Sequence, residues 1–166
     1  VVAAVQGIGG PSEERTADIE CVYEYRTSDD KGRGDVYSTI LQVGKRSAKF
    51  VDYSTFQLDS ARTSGASEDQ VEAFRLREEK KAQYFDYAIF QNEPAGNMTV
   101  YGTIIPDRYS YTEDSKAMKW TWADDEKTIC GYQCHKAECE YGGRKWTVWY
   151  SQDIPVSYGP WKRSEE

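Results

Sequence analysis

Histidine occurs once in these 166 residues, methionine twice and proline five times, and leucine is scarce. No run of 18 apolar residues is present, so nothing reads as a membrane-spanning helix. An excess of basic charge is also missing. Lys and Arg number 21 against 28 Asp and Glu, a net charge of −7. That balance repels phosphate backbones and argues against nucleic acid as a partner. General acid–base chemistry has one imidazole to draw on, so no catalytic residue, no enzymatic activity and no cofactor are expected.

Aromatic residues are plentiful, with thirteen tyrosines and five tryptophans. Such side chains suit half-buried pleated surfaces, which points to sheet. The length fits one domain able to bury a real core. Residues 1–16, rich in Gly, Ser and Glu, read as a flexible N-terminal arm, and 17–166 as a single β-rich domain. The first residue is Val1 rather than Met, and "VVAAVQG" resembles the end of a secretory signal. Four cysteines suit two disulfides and an oxidising compartment, so export is expected.

Along the chain, "IECVYEYR" alternates, with Ile19, Cys21, Tyr23 and Tyr25 on one face and Glu20, Glu24 and Arg26 on the other. "VYSTILQV" and "SAKFVDYS" read as strands joined tightly at Gly44-Lys45. One helix is predicted over about 67–82. Ser67 and Gln70 form a capping box, Lys80 and Lys81 suit the C-terminal end, and Val71, Phe74 and Leu76 are expected to face the sheet. Further strands follow at "YFDYAIFQ", "MTVYGTII", "RYSYTE" and "AMKWTWA". The fold class is mainly β: an antiparallel meander, curved or closing into a half-barrel, with the helix packed on it.

Near the C-terminus Gly142-Gly143 separates two alternating segments as a two-residue hairpin loop would. Folding there sets Glu140 opposite Lys145, Glu138 opposite Thr147 and Lys136 opposite Trp149. His135, Ala137 and Cys139 then meet Tyr150, Val148 and Trp146 on the other face. Cys130 and Cys134 fall on the polar face and Cys139 on the apolar one. On a straight strand, residues four apart are separated by about 13 Å. That is too far for a disulfide or one metal ion without a bend. The spacing C-x3-C-H-x3-C matches no zinc pattern, so no metal site is expected. Cys21, Cys130, Cys134 and Cys139 are therefore disulfide candidates, in a pairing the spacing leaves open; Cys21 and Cys139 both fall on core faces.

The segment from Lys119 to Lys162 is similar to the conserved block of the GLPGLI (Porph_ging) family. The similarity rests on Thr128-Ile129, Gly131-Tyr132, Cys134, Lys136-Ala137, Gly143-Arg144, Trp149-Tyr150, Asp153-Ile154-Pro155 and Gly159-Pro160-Trp161-Lys162. The family's Gly-Leu-Pro-Gly-Leu-Ile, due next, is replaced here by Arg163-Ser164-Glu165-Glu166. The resemblance implies a protein of the Bacteroidota cell envelope, periplasmic or attached to the outer membrane, with no established enzymatic activity. An accessory role beside outer-membrane transport systems is expected from it. Without the missing segment, a sheet edge is expected to stay open to a partner strand.

Other features have plainer readings. His135 is expected to be a hydrogen-bonded structural residue beside Tyr150. Asp124-Asp125-Glu126 reads as a solvated turn, and Asp29, Asp30 and Asp35 lack calcium-loop spacing. Trp120, Trp122 and Trp146 are expected in the core, and Trp149 over the Lys136 stem. Trp149, Tyr158 and Trp161 are the candidate partner-binding residues, for an outer-membrane or surface protein. The alternative is a carrier of a small hydrophobic or peptide ligand, held between sheet and helix.

Overall fold

The computed structural model describes residues 2–3, 15–26, 31–78, 86–104, 106–154, 156–160 and 162. It is mainly β and antiparallel, with an open sheet that does not close into a barrel. Two-residue strands β1 (Val2–Ala3) and β2 (Arg15–Thr16) pair with each other. The main sheet has six strands in sequence order: β3 (Ile19–Arg26), β4 (Val36–Val43), β5 (Ala48–Asp52), β6 (Tyr87–Gln91), β7 (Asn97–Ile104) and β8 (Asp107–Asp114). A separate three-stranded sheet follows, formed by β9 (Thr121–Ile129), β10 (Tyr132–Tyr141) and β11 (Arg144–Tyr150), with β10 in the middle.

Register explains the core. Cys21, Leu41, Phe50, Ile89, Val100 and Tyr111 are successive cross-strand partners, so they form one row on one face. Leu41, Phe50, Ile89 and Val100 are buried there with Val43 and Ala48. Burying a side chain of this size contributes roughly 1.5–3 kcal/mol. The other face buries Ile40, Val51, Ala88 and Phe90. Gly102 has a specific reason to be glycine: the ring of Tyr109, its cross-strand partner, lies where a Cβ would stand.

Two helices fill the connection between β5 and β6, where the sequence suggests one. The added helix, α1 (Tyr53–Thr63), begins the moment β5 ends, with Asp52 accepting a hydrogen bond from the Ser54 N–H at 2.9 Å. Tyr53 and Phe56 pack on the Ile40–Phe90 side of the sheet. Aromatic and β-branched residues in "YSTF" disguise it as strand, and tertiary packing overrides that preference. The predicted helix is α2 (Glu68–Glu78), and its capping box forms as expected. The remainder of the predicted 67–82 span lies outside the described residues. Contrary to expectation, α2 packs on α1, and Leu76 is exposed.

Residues 156–160 help cover the opposite face. Val156 and Tyr158 pack on the Leu41–Val100 cluster, and Gln91 Nε2 donates to the Gly159 carbonyl at 2.8 Å. Lys162 pairs with Glu113 and donates to the Tyr111 hydroxyl at 3.1 Å. Tyr141 of β10 donates to Glu113 at 2.9 Å, which ties the small sheet to β8.

A buried ion pair fastens α1 to the sheet. Lys49 Nζ lies 3.6 Å from Asp59 Oδ2, and Arg62 approaches the same carboxylate at 3.8 Å. Burial pushes the Asp59 carboxyl up and the Lys49 ammonium down, each opposed by the other's charge. Asp59→Leu strands the Lys49 charge and is expected to cost about 3–5 kcal/mol in urea unfolding. Adding Lys49→Met is expected to restore most of that loss, because a matched apolar pair removes the desolvation penalty. A double variant as unstable as the single one would show that the ion pair itself supplies the stability.

Candidate functional site: a cleft beside the edge strand

β3 ends the main sheet, and the cleft lies alongside it. A cavity of about 630 Å³ is lined by Cys21, Val22 and Tyr23 of β3, by Ile129, Cys130, Tyr132, Cys134 and Val148–Ser151 in and beside the small sheet, and by Ile154, Val156, Tyr158, Gly159 and Pro160. Successive side chains of a strand point to opposite faces. A surface touching three in a row therefore runs along the strand's edge. Among the described residues, none of those lining the cleft is charged, in a chain where 30% of residues are. Val22 is 60% exposed at this edge, and Tyr132 and Ile154 are also exposed.

The small sheet forms as the sequence predicts at its second hairpin. All seven pairs from His135↔Tyr150 to Tyr141↔Arg144 have the expected register, and Gly142 and Gly143 both take positive φ, 59° and 72°. The first hairpin is not expected from the sequence. It turns at Cys130-Gly131, again with positive φ at both, 52° and 85°. Asp124-Asp125-Glu126 is not a turn; it lies within β9, at a register shift where two extra residues of β9 face the His135/Lys136 step. The irregularity is on β9, so β10 stays extended.

That geometry bears on the cysteines. All four are free thiols. The expected staples are not formed: Cys134 and Cys139 point to opposite faces of an extended strand, where no bridge can span them. Cys21, Cys130 and Cys134 line the cleft, whereas Cys139 is not among its lining residues. Cys139 is buried, and burial pushes its thiol up, away from reactivity. Among the described residues, no three His, Cys, Asp or Glu side chains gather as a metal site.

Two of the three predicted partner-binding residues, Trp149 and Tyr158, line the cleft. Trp161 lies outside the described residues, as do Asp29 and Asp30. Tyr158 also anchors the wall, with its hydroxyl donating to the Arg46 carbonyl at 2.9 Å. Trp149 stands opposite Lys136, as expected, and the ammonium of Lys127 lies 3.9 Å from its ring centroid. The Lys136 ammonium reaches Asp125 at 3.2 Å and Glu138 at 3.0 Å. Trp120 and Trp146 are half-buried, but Trp122 is 56% exposed, against the expectation of core packing. This cleft lies beside β3, whereas the ligand-carrier reading placed its cavity between sheet and helix. The best signal that sequence reasoning passed over was Val22, an apolar residue on the Glu20–Glu24–Arg26 face of β3.

No protein-family model matches the chain, and no curated protein matches it. Among solved structures, the chain is similar to PNGF-II in its C2 and P21 space groups, with TM-scores of 0.54 and 0.52 and identities of 14% and 12%. The similarity covers 85% and 82% of this chain and 22% of each PNGF-II chain. At that identity it shows a shared fold and nothing of function.

On the face of β10 that carries Cys134, Glu138 accepts from Lys145 at 2.8 Å and from Lys136 at 3.0 Å. Those hydrogen bonds hold its carboxyl at about 2, below the ordinary 4.5. A depressed carboxyl stabilises the fold above its unfolded value, and that contribution is lost as pH falls through the folded one. Thermal melts from pH 5 down to about 2 should therefore drop more steeply for the native chain than for Glu138→Gln. Parallel curves would mean that the pairs do not persist in solution.

Proposed function

We propose that this protein is a non-catalytic accessory of the bacterial cell envelope that holds an extended, uncharged segment of a protein partner in the cleft beside β3. The observation that carries the reading is a charge-free cleft running along the outermost strand of the sheet. An extended segment laid there adds main-chain hydrogen bonds to the edge, and its alternate side chains meet Tyr23, Tyr132 and Trp149. The uncharged side chains of the described lining select against acidic or basic partners, since a buried unpaired charge is costly.

The similarity of Lys119–Lys162 to the GLPGLI family supports placement in the periplasm or at the outer membrane. An outer-membrane or surface protein, within a transport assembly, is the corresponding partner. A second reading has one observation in its favour: a volume of about 630 Å³ suits a small hydrophobic or peptide ligand.

A photo-reactive residue at position 22, introduced in the native host, tests both, with a second at position 72 on α2 as reference. The expected result is one protein adduct from position 22 alone, mapped to an uncharged, extended segment. Val22→Lys should then weaken the purified complex by about tenfold, because a charge at the edge blocks strand addition. A lipid or free-peptide adduct would favour the carrier. Equal labelling from both positions would sink both readings.

A further inference from the structure

On the face of β10 opposite Cys134, the small sheet gathers a second group of side chains. Trp122 of β9 and Tyr150 of β11 have ring centroids 5.0 Å apart, inclined by 58°. The strands that carry them are separated by β10, so their rings meet across it. Trp122 stands opposite Ala137, and this small side chain is fully buried and leaves room for the contact. His135 continues the row, with its ring 5.7 Å from Tyr150.

A polar row lies alongside. Glu126 Oε1 is 3.3 Å from His135 Nδ1, and Glu126 Oε2 accepts from Gln133 Nε2 at 2.9 Å. The register shift in β9 produces this arrangement. It inserts two residues, Asp124 and Asp125, between the partners of Lys136 and His135. An even insertion keeps the alternation of faces, so Trp122 and Glu126 stay on the same side while Glu126 is brought opposite the imidazole. Trp122 is 56% exposed, and half of the Glu126 side chain is accessible.

We propose that this face binds a neutral sugar. The apolar C–H face of a pyranose ring would stack on Trp122 and Tyr150, and its hydroxyls would bond to Glu126, His135 and Gln133. The two rows select this chemistry together. A purely apolar partner would cover Glu126 and Gln133 without satisfying them, which costs free energy. A phosphate or another anion meets the Glu126 carboxylate on a chain of net charge −7. A neutral sugar offers an apolar face to the rings and hydroxyl donors to a carboxylate.

The test is titration of the full chain with neutral oligosaccharides, namely maltohexaose, cellohexaose, mannohexaose and chitohexaose, read by tryptophan fluorescence and calorimetry. At least one is expected to bind, with Trp122→Ala weakening it by about tenfold or more and Glu126→Gln by a smaller factor. Thr147→Ala, on the other face, should leave the affinity unchanged. Circular dichroism and sedimentation of each variant accompany the titrations. No binding by any of the four, or affinity that survives Trp122→Ala, overturns the proposal. So does a native dimer that Trp122→Ala converts to monomer, because the face would then be a contact between copies of this chain.

Discussion

The middle of the main sheet is buried on both of its faces, and the rest of the architecture answers that constraint. β5 and β6 carry almost unbroken buried runs, and the ends of β4 and β7 continue them. A sheet buried on both sides needs two covers. α1 supplies one, over Ile40, Val51 and Phe90. Val156 and Tyr158 contribute to the other, over Leu41, Phe50 and Ile89.

Each cover carries a charge into the interior with a counter-charge waiting. Under α1 it is Asp59 with Lys49, and at the end of the last segment it is Lys162 with Glu113. Lys162 also lies over the rings of Tyr111 and Tyr141, 5.0 and 5.9 Å from their centroids. A buried pair of this kind adds little net stability compared with apolar packing, but a wrong placement of the cover leaves a charge unpaired and is penalised heavily. The Gly159-Pro160-Trp161-Lys162 motif thus ends in a residue with a defined structural task, docking the segment that walls the cleft.

The covers end before the edge at β3, and the cleft lies there. The small sheet approaches this edge through the Cys130-Gly131 turn and presents different chemistry on its two faces. Cys134, Trp149 and the Lys136–Glu138–Lys145 chain lie on one face, and Trp122, His135 and Tyr150 on the other. β11 is an edge strand, so Tyr150 belongs to the aromatic row and also reaches the cleft lining.

Several parts were legible from residues alone, because the forces that set them are local. Gly142-Gly143 and the charge pairing around it determined the β10–β11 register residue by residue. Ser67 and Gln70 determined the start of α2. Alternation identified the antiparallel meander. The cysteines mark where local reading stops: their spacing excluded a bridge along β10, yet which of them would share a cavity was not written in the spacing. α1 was hidden because its aromatic residues prefer strand until a sheet face is present for them to cover. The exposure of Trp122 and the burial of Lys49 follow the same logic, since each depends on what other segments leave open or closed. Short-range pattern thus determined most of the strands, the Gly142-Gly143 turn and one helix start of this protein. Only the tertiary structure decided which faces are covered, and therefore where the cleft and the aromatic row lie, because burial depends on segments far apart in the chain.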